Sequence, residues 1–213
     1  MNQVLFEAFR ELAGPAARLV VIPTASQNAV PEQHIKRWQA RGFEDVTILD
    51  APNRGVALFE RTSDSLKTAT AVWISGGYQQ RLAEIYVGTP VEEELYALLK
   101  RGGVIGGSSA GAAIQTKVMI AGGYPTPQIM PGLDLLKRSI VDQHFLKRDR
   151  IARLVEAVEK HPELTGYGID EGTALVVSGN QAKVVGESYV LRVKSVDGDI
   201  VINSFKSGDK IPN

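Results

Sequence analysis

The sequence has no cysteine among its 213 residues. That excludes a disulfide framework, a thiolate nucleophile and a thiolate metal site. It has no excess of charge either, because 24 basic residues balance 24 acidic ones. Such a balance calls for no polyanionic partner, and no run of Lys or Arg suggests nucleic acid. Long apolar runs are missing as well. No segment is long enough to span a membrane, and "MNQVLFEAFRELAG" lacks the basic and then apolar pattern of a secretion signal. A cytoplasmic enzyme or binding domain is expected, with no cofactor and no metal. Histidine is scarce, with 3 in the chain, so imidazole chemistry has few candidates.

What is present is a repeating alternation. Val4, Leu5, Ala8, Phe9 and Leu12 recur at helical spacing, and Gly14-Pro15 stops that helix. "RLVVIPTAS" reads as a buried strand ending in a loop of small residues. A helix over 31–41 follows, ended by Gly42. "VTIL", "AVWIS" and "GVIGG" read as strands, and Gly76-Gly77 precedes a short helix. Thr89 predicts an N-cap, with Pro90 in the first turn and Glu92 closing a capping box. Val91, Leu95, Leu98 and Leu99 face the core side of that helix. "SIVDQHF" is a fifth strand. Ile151, Leu154, Val155 and Val158 form one helix face. "GYGID" and "TALVVS" are strands, and "VLRVKSVDGDIVINSF" is a hairpin about Asp197-Gly198. Short apolar strands between amphipathic helices predict an α/β fold: a doubly wound, mostly parallel sheet with antiparallel strands in its C-terminal third. One domain is expected over residues 1–213.

Two serines stand out in "GGVIGGSSAGAAIQ", because nearly every neighbour is small. Gly107-Ser108-Ser109-Ala110-Gly111 fits G-x-S-x-G, in which a strand turns sharply into a helix with a nucleophilic Ser at the apex. Ser109 is then the candidate nucleophile and the Ala110 N–H a candidate oxyanion donor. The same pattern also arises by chance, and Gly-rich turns after strands cradle phosphates. A Walker loop is excluded, since no Gly-Lys-Ser/Thr follows. A Ser nucleophile needs a base and a group to orient it. His34 lies in a polar stretch of a surface helix and reads as solvated. His161 sits at a helix end, where it favours the dipole. His144, at a strand end among polar neighbours, is the candidate base. Asp170 and Glu171 end another strand in an apolar stretch and are the candidate acids. The order Ser109, His144, Glu171 differs from that of α/β-hydrolases, where the acid precedes the His.

"VVIPTAS", "SGGYQQRL", "GGVIGGSSAGA", "VDQHFLKRDRIARL" and "GYGIDEGTALVV" occur in this order. Together they resemble the S51 serine peptidases, the family of cyanophycinase and of aspartyl dipeptidases, from near residue 3 to the C-terminus. The resemblance implies a fold like that of class I glutamine amidotransferases and a Ser109–His144–Glu171 triad. It adds Gly77 as a second oxyanion donor. It implies hydrolysis of cyanophycin, a poly-aspartate with arginine on each side-chain carboxylate, to β-Asp-Arg dipeptides. Gln79, Asp142, Gln143, Arg148, Arg150 and Arg153 are the substrate-binding candidates. Asp142 suits the substrate's guanidinium, and the arginines suit its free carboxylates. The arginines also read as a basic helix face paired with surface acids.

The chain departs from the family pattern twice. Tyr78 stands in "GGYQ" where "GGDQ" is usual. The family's glycine-ended first strand, ahead of the first helix, is missing. In a 3-2-1-4 strand order that loss leaves Arg18–Ile22 and Ala71–Ile74 facing a gap, which direct pairing of the two would close. The expected partner is cyanophycin or an aspartyl peptide, with a homodimer left open. Three rival readings stand beside this one. The chain is an α-aspartyl dipeptidase of the same fold, a non-catalytic binding module derived from such enzymes, or a metal site at Asp142, His144, Asp170 and Glu171.

Overall fold

The computed structural model describes residues 2–212. Asn2 caps α1 (Gln3–Ala13) by accepting the Leu5 N–H at 3.1 Å, and Gly14, at φ 81°, ends it. β1 (Arg18–Ile22) is buried from its second residue on. α2 (Pro31–Gln39) opens with Pro31, where no N–H is needed, and buries Trp38. Then come β2 (Asp45–Ile48), α3 (Arg54–Ala57), a 3-10 turn (Glu60–Ser63), α4 (Asp64–Thr68) and β3 (Ala71–Ile74). α5 (Gln79–Tyr86) and α6 (Pro90–Lys100) lead to β4 (Val104–Gly107) and α7 (Ala110–Ala113). A hairpin of β5 (Val118–Gly122) and β6 (Gln128–Pro131) precedes β7 (Ser139–Gln143), α8 (Ile151–Lys160) and β8 (Thr165–Ile169). The rest is β: β9 (Thr173–Ser178), β10 (Gln181–Gly186), β11 (Tyr189–Val196), β12 (Asp199–Lys206) and β13 (Lys210–Ile211). Among the described residues, no helix is long and apolar enough to cross a membrane.

Two features of α6 differ from the sequence expectation. The Thr89 hydroxyl donates to Tyr86 O at 2.7 Å, and Glu92 accepts the Gly88 N–H at 2.5 Å. Both side chains therefore brace the preceding turn, and no reciprocal capping box forms. Leu99 is 37% exposed, so the core-facing stripe of α6 is narrower than its sequence suggests.

One sheet is wholly parallel, in the order β2-β1-β3-β4. Alternation along its strands splits the core. Val20, Ile22, Val72 and Ile74 face Leu82, Leu95, Leu98 and Ile114, while Leu19, Val21 and Ala71 face Phe6, Phe9, Trp38 and Phe43. The second sheet runs β12-β11-β8-β7, with β7 and β8 parallel and the other pairs antiparallel. α8 covers it through Leu154 and Val158, which pack with Ile140 and Val193. β13-β10-β9 form a small antiparallel sheet.

β1 and β3 pair directly, with Leu19 opposite Ala71 and Ile22 opposite Ile74. The closure expected from the sequence is present, and β2-β1-β3 is the order that 3-2-1-4 leaves when its first strand is absent and the gap is closed. Open edges occur elsewhere. Among the described residues β4 and β7 are the end strands of their sheets, and both line one cavity of about 1250 Å³, together with Phe9 and Leu12 of α1. The strands facing a gap are thus β4 and β7, because β1 lies between β2 and β3.

Candidate active site

The turn after β4 is compressed. A Cβ on Gly107 would lie 2.1 Å from Gly111 O, and one on Gly111 would lie 2.0 Å from Ile74 O. The backbones of strand, turn and helix touch, so only glycine fits at either position. Between them Ser109 is held at φ 51° and ψ −111°, a region L-residues avoid. That conformation lifts its side chain off the sheet end. Ser109 Oγ lies 3.0 Å from His144 Nε2, and His144 Nδ1 lies 2.9 Å from Glu171 Oε1. An Nδ1–H donated to the carboxylate leaves the Nε2 lone pair facing the serine hydroxyl. His144 also has a positive φ, 52°. The three side chains come from the ends of β4, β7 and β8, and they border the 1250 Å³ cavity.

Asp170 stands next to Glu171 and does a different job. Its Oδ1 accepts the Leu146 and Lys147 N–H groups at 3.1 and 3.0 Å, and its Oδ2 accepts Ser188 Oγ at 2.7 Å. It thereby fixes the loop that follows His144. Burial pushes its pKa up, but the bonds from Ser188 and from the Lys147, Glu171 and Leu146 amides outweigh that and hold it below 3.8.

The Asp142 carboxylate is already engaged. Arg153 Nε donates to Oδ2 at 2.6 Å and Nη2 to Oδ1 at 2.5 Å, with Asp142 1% and Arg153 4% exposed. Arg153 also donates to Gly123 O. Arg150 reaches Asp142 at 3.3 Å and Gln143 O at 2.5 Å, and burial holds its own pKa low. This corrects the expectation that Asp142 offers its charge to a substrate arginine. The acid sits beneath α8, where losing one partner of such a pair costs roughly 3–5 kcal/mol. Gln79 is likewise structural, since its Nε2 donates to Ile120 O at 3.1 Å and ties α5 to β5. Gln143 is buried and accepts from Arg150. Arg148 is exposed and forms no ion pair among the described residues. Ala110 starts α7, and Gly77 is at φ 145°, where an added Cβ would lie 2.3 Å from Ala25 O.

With Asp142 bound to arginines and Asp170 to amides, the four residues of the metal reading do not converge. Among the described residues no group of three or more His, Asp or Glu could hold a metal.

The profile of Peptidase family S51 matches residues 1–185. The chain is 34% identical over 200 residues to a cyanophycinase of Geminocystis herdmanii (strain PCC 6308), covering 89% of this chain and 74% of that protein. It is 35% identical over 185 residues to a cyanophycinase of Nostoc sp. (strain PCC 7120 / SAG 25.82 / UTEX 2576), of which it spans 62%. In structure it resembles a crystallised peptidase from an acI-B1 Actinobacterium, with TM-score 0.76, 23% identity, and 99% of this chain and 92% of that one covered. That likeness bears on the fold. The profile and the identities bear on descent, and by them the chain belongs to peptidase family S51.

Proposed function

We propose that this chain is a serine-type exopeptidase that hydrolyses cyanophycin to β-Asp-Arg dipeptides. The observation that carries the reading is the Ser109–His144–Glu171 relay at 3.0 and 2.9 Å, with Ser109 at a strained apex. The cyanophycinase relatives support the substrate class.

Ser109 Oγ attacks the carbonyl carbon of the scissile amide while its proton passes to His144 Nε2. Glu171 holds the imidazole tautomer and stabilises the imidazolium. The Ala110 and Gly77 N–H groups receive the developing oxyanion. Nε2 returns the proton to the leaving nitrogen, and water then hydrolyses the acyl-Ser109 ester by the same route. Arg148 is an exposed cation available to a substrate carboxylate. Arg150 and Arg153, with Asp142, hold the His144 segment in place.

The test is incubation with cyanophycin granules and mass spectrometry of the soluble products. β-Asp-Arg release by the native protein, absent in Ser109→Ala, is expected. Release confined to α-aspartyl dipeptide substrates would favour the dipeptidase reading. No turnover of either substrate, with no labelling of Ser109 by a fluorophosphonate, would favour a binding module.

A further inference from the structure

A second pocket, of about 370 Å³, lies between α2 and the ends of β3 and β4. Its walls are His34, Arg37 and Arg41, and its floor is Ser75, Gly76 and Ser108. His34, Arg37, Trp38 and Arg41 recur at intervals of three and four, so one face of α2 and its following turn carries them all. The helix buries Trp38 in the aromatic core, and that anchorage turns the three basic groups toward the sheet end.

We propose that this pocket binds a free carboxylate of the polymer substrate, one repeat removed from the bond being cut. The proposal rests on the cyanophycinase reading for the ligand's identity. Three features of the site carry it.

The first is charge. The chain as a whole is neutral, yet the pocket has three basic linings and no acidic one. Among the described residues neither arginine forms an ion pair. Burial, and then the Arg37 charge, hold the His34 pKa below 6.5, against a smaller opposing pull from Asp50. The pocket therefore already disfavours further positive charge. The second is order. The Arg41 guanidinium sits 5.0 Å from the Phe6 ring centroid and 6.0 Å from that of Trp38. These rings restrain the group, and its N–H donors suit a planar, two-oxygen partner. The third is place. A Cβ on Gly76 would lie 3.3 Å from both Ser108 O and Ser109 Cβ, so the pocket floor is also the wall of the nucleophile turn.

The substrate's chemistry selects the occupant. Each cyanophycin repeat joins the arginine α-amino group to an aspartate side chain. Every repeat thus keeps a guanidinium and a free α-carboxylate. A pocket lined by two guanidinium groups repels the first and accepts the second.

Two measurements test this with different dependence on catalysis. In the inactive Ser109→Ala protein, the His34 ring resonances are followed by NMR while Nα-acetyl-arginine or its C-terminal amide is added. The acid, and not the amide, should move them, and Arg37→Glu should abolish the response. Arg37 is exposed, so that variant is expected to fold. An equal response to both compounds, or none, overturns the carboxylate site whatever the enzyme cuts. In the active protein, Arg37→Glu should raise KM for the long polymer by about tenfold, as for one lost charge-assisted contact, with kcat on a two-repeat substrate, which holds one inter-repeat bond and does not extend to the pocket, unchanged. Arg37→Lys should restore most of that loss. An unchanged polymer KM overturns the proposal. Absence of any turnover by the native protein, with the NMR response intact, refutes the cyanophycinase reading and leaves a carboxylate site standing.

Discussion

At Ser109 the backbone conformation and the reactive side chain are in conflict over stability. A non-glycine residue at φ 51° and ψ −111° costs on the order of 1–3 kcal/mol. Glycine adopts such angles without that cost. Ser109→Gly should therefore raise the melting temperature while abolishing hydrolysis, and calorimetry beside a product assay checks both. A lower melting temperature would mean that the hydroxyl contributes more to the fold than the backbone loses. Ser109 and His144 are legible in the sequence, because G-x-S-x-G and scarce histidine leave few choices, whereas Glu171 rather than Asp170 follows only from the family resemblance. The engagement of Asp142 is not legible. Its partner Arg153 stands eleven positions on, across the turn into α8, and the pair exists only once that helix has packed. The place of His34 in a pocket wall is hidden for a similar reason. Its polar neighbours suggest a solvated face, and only the packing of Trp38 beside Trp73 turns it inward.

At the scale of elements, the strand–helix alternation was readable because each apolar run is bounded by Gly, Pro or a cap. The segment from Arg54 to Thr68 and the β5–β6 hairpin were not foreseen. Their elements are four or five residues long, too short for a hydrophobic period to declare itself. The coupling between elements at the site depends on Asp170, which binds the loop after β7 to the start of β11 through Ser188. Its pKa is depressed in the folded state, so the stability it contributes is present above 3.8 and is lost as pH falls through the lower folded value. Asp170→Asn should lower the melting temperature at neutral pH, and the difference from the native protein should close as the pH is taken below 3.8. Thermal scans across that range check it. A difference independent of pH would assign the effect to shape and not to charge.

Across the whole molecule, the two larger sheets meet without a shared ladder among the described residues. Ser109 belongs to the end of β4, His144 and Glu171 to the ends of β7 and β8, and between β4 and β7 lies the 1250 Å³ cavity. Hydrogen-bonded strands hold their neighbours at about 4.8 Å, a spacing that backbone chemistry enforces. Here that enforcement ends at β4 on one side and at β7 on the other. The two halves of the relay are set against each other by the side-chain contacts of α7 and β5 on β7. The molecule is built like a pair of jaws whose teeth meet although their backs are not riveted. A small slip at that seam parts Oγ from Nε2 before either sheet loses a hydrogen bond. In a urea titration hydrolysis should accordingly fail at a lower concentration than the far-ultraviolet dichroism, and coincident transitions would show the seam to be as stiff as the sheets it joins. The 3.0 Å contact on which catalysis depends then rests on a joint that no ladder crosses.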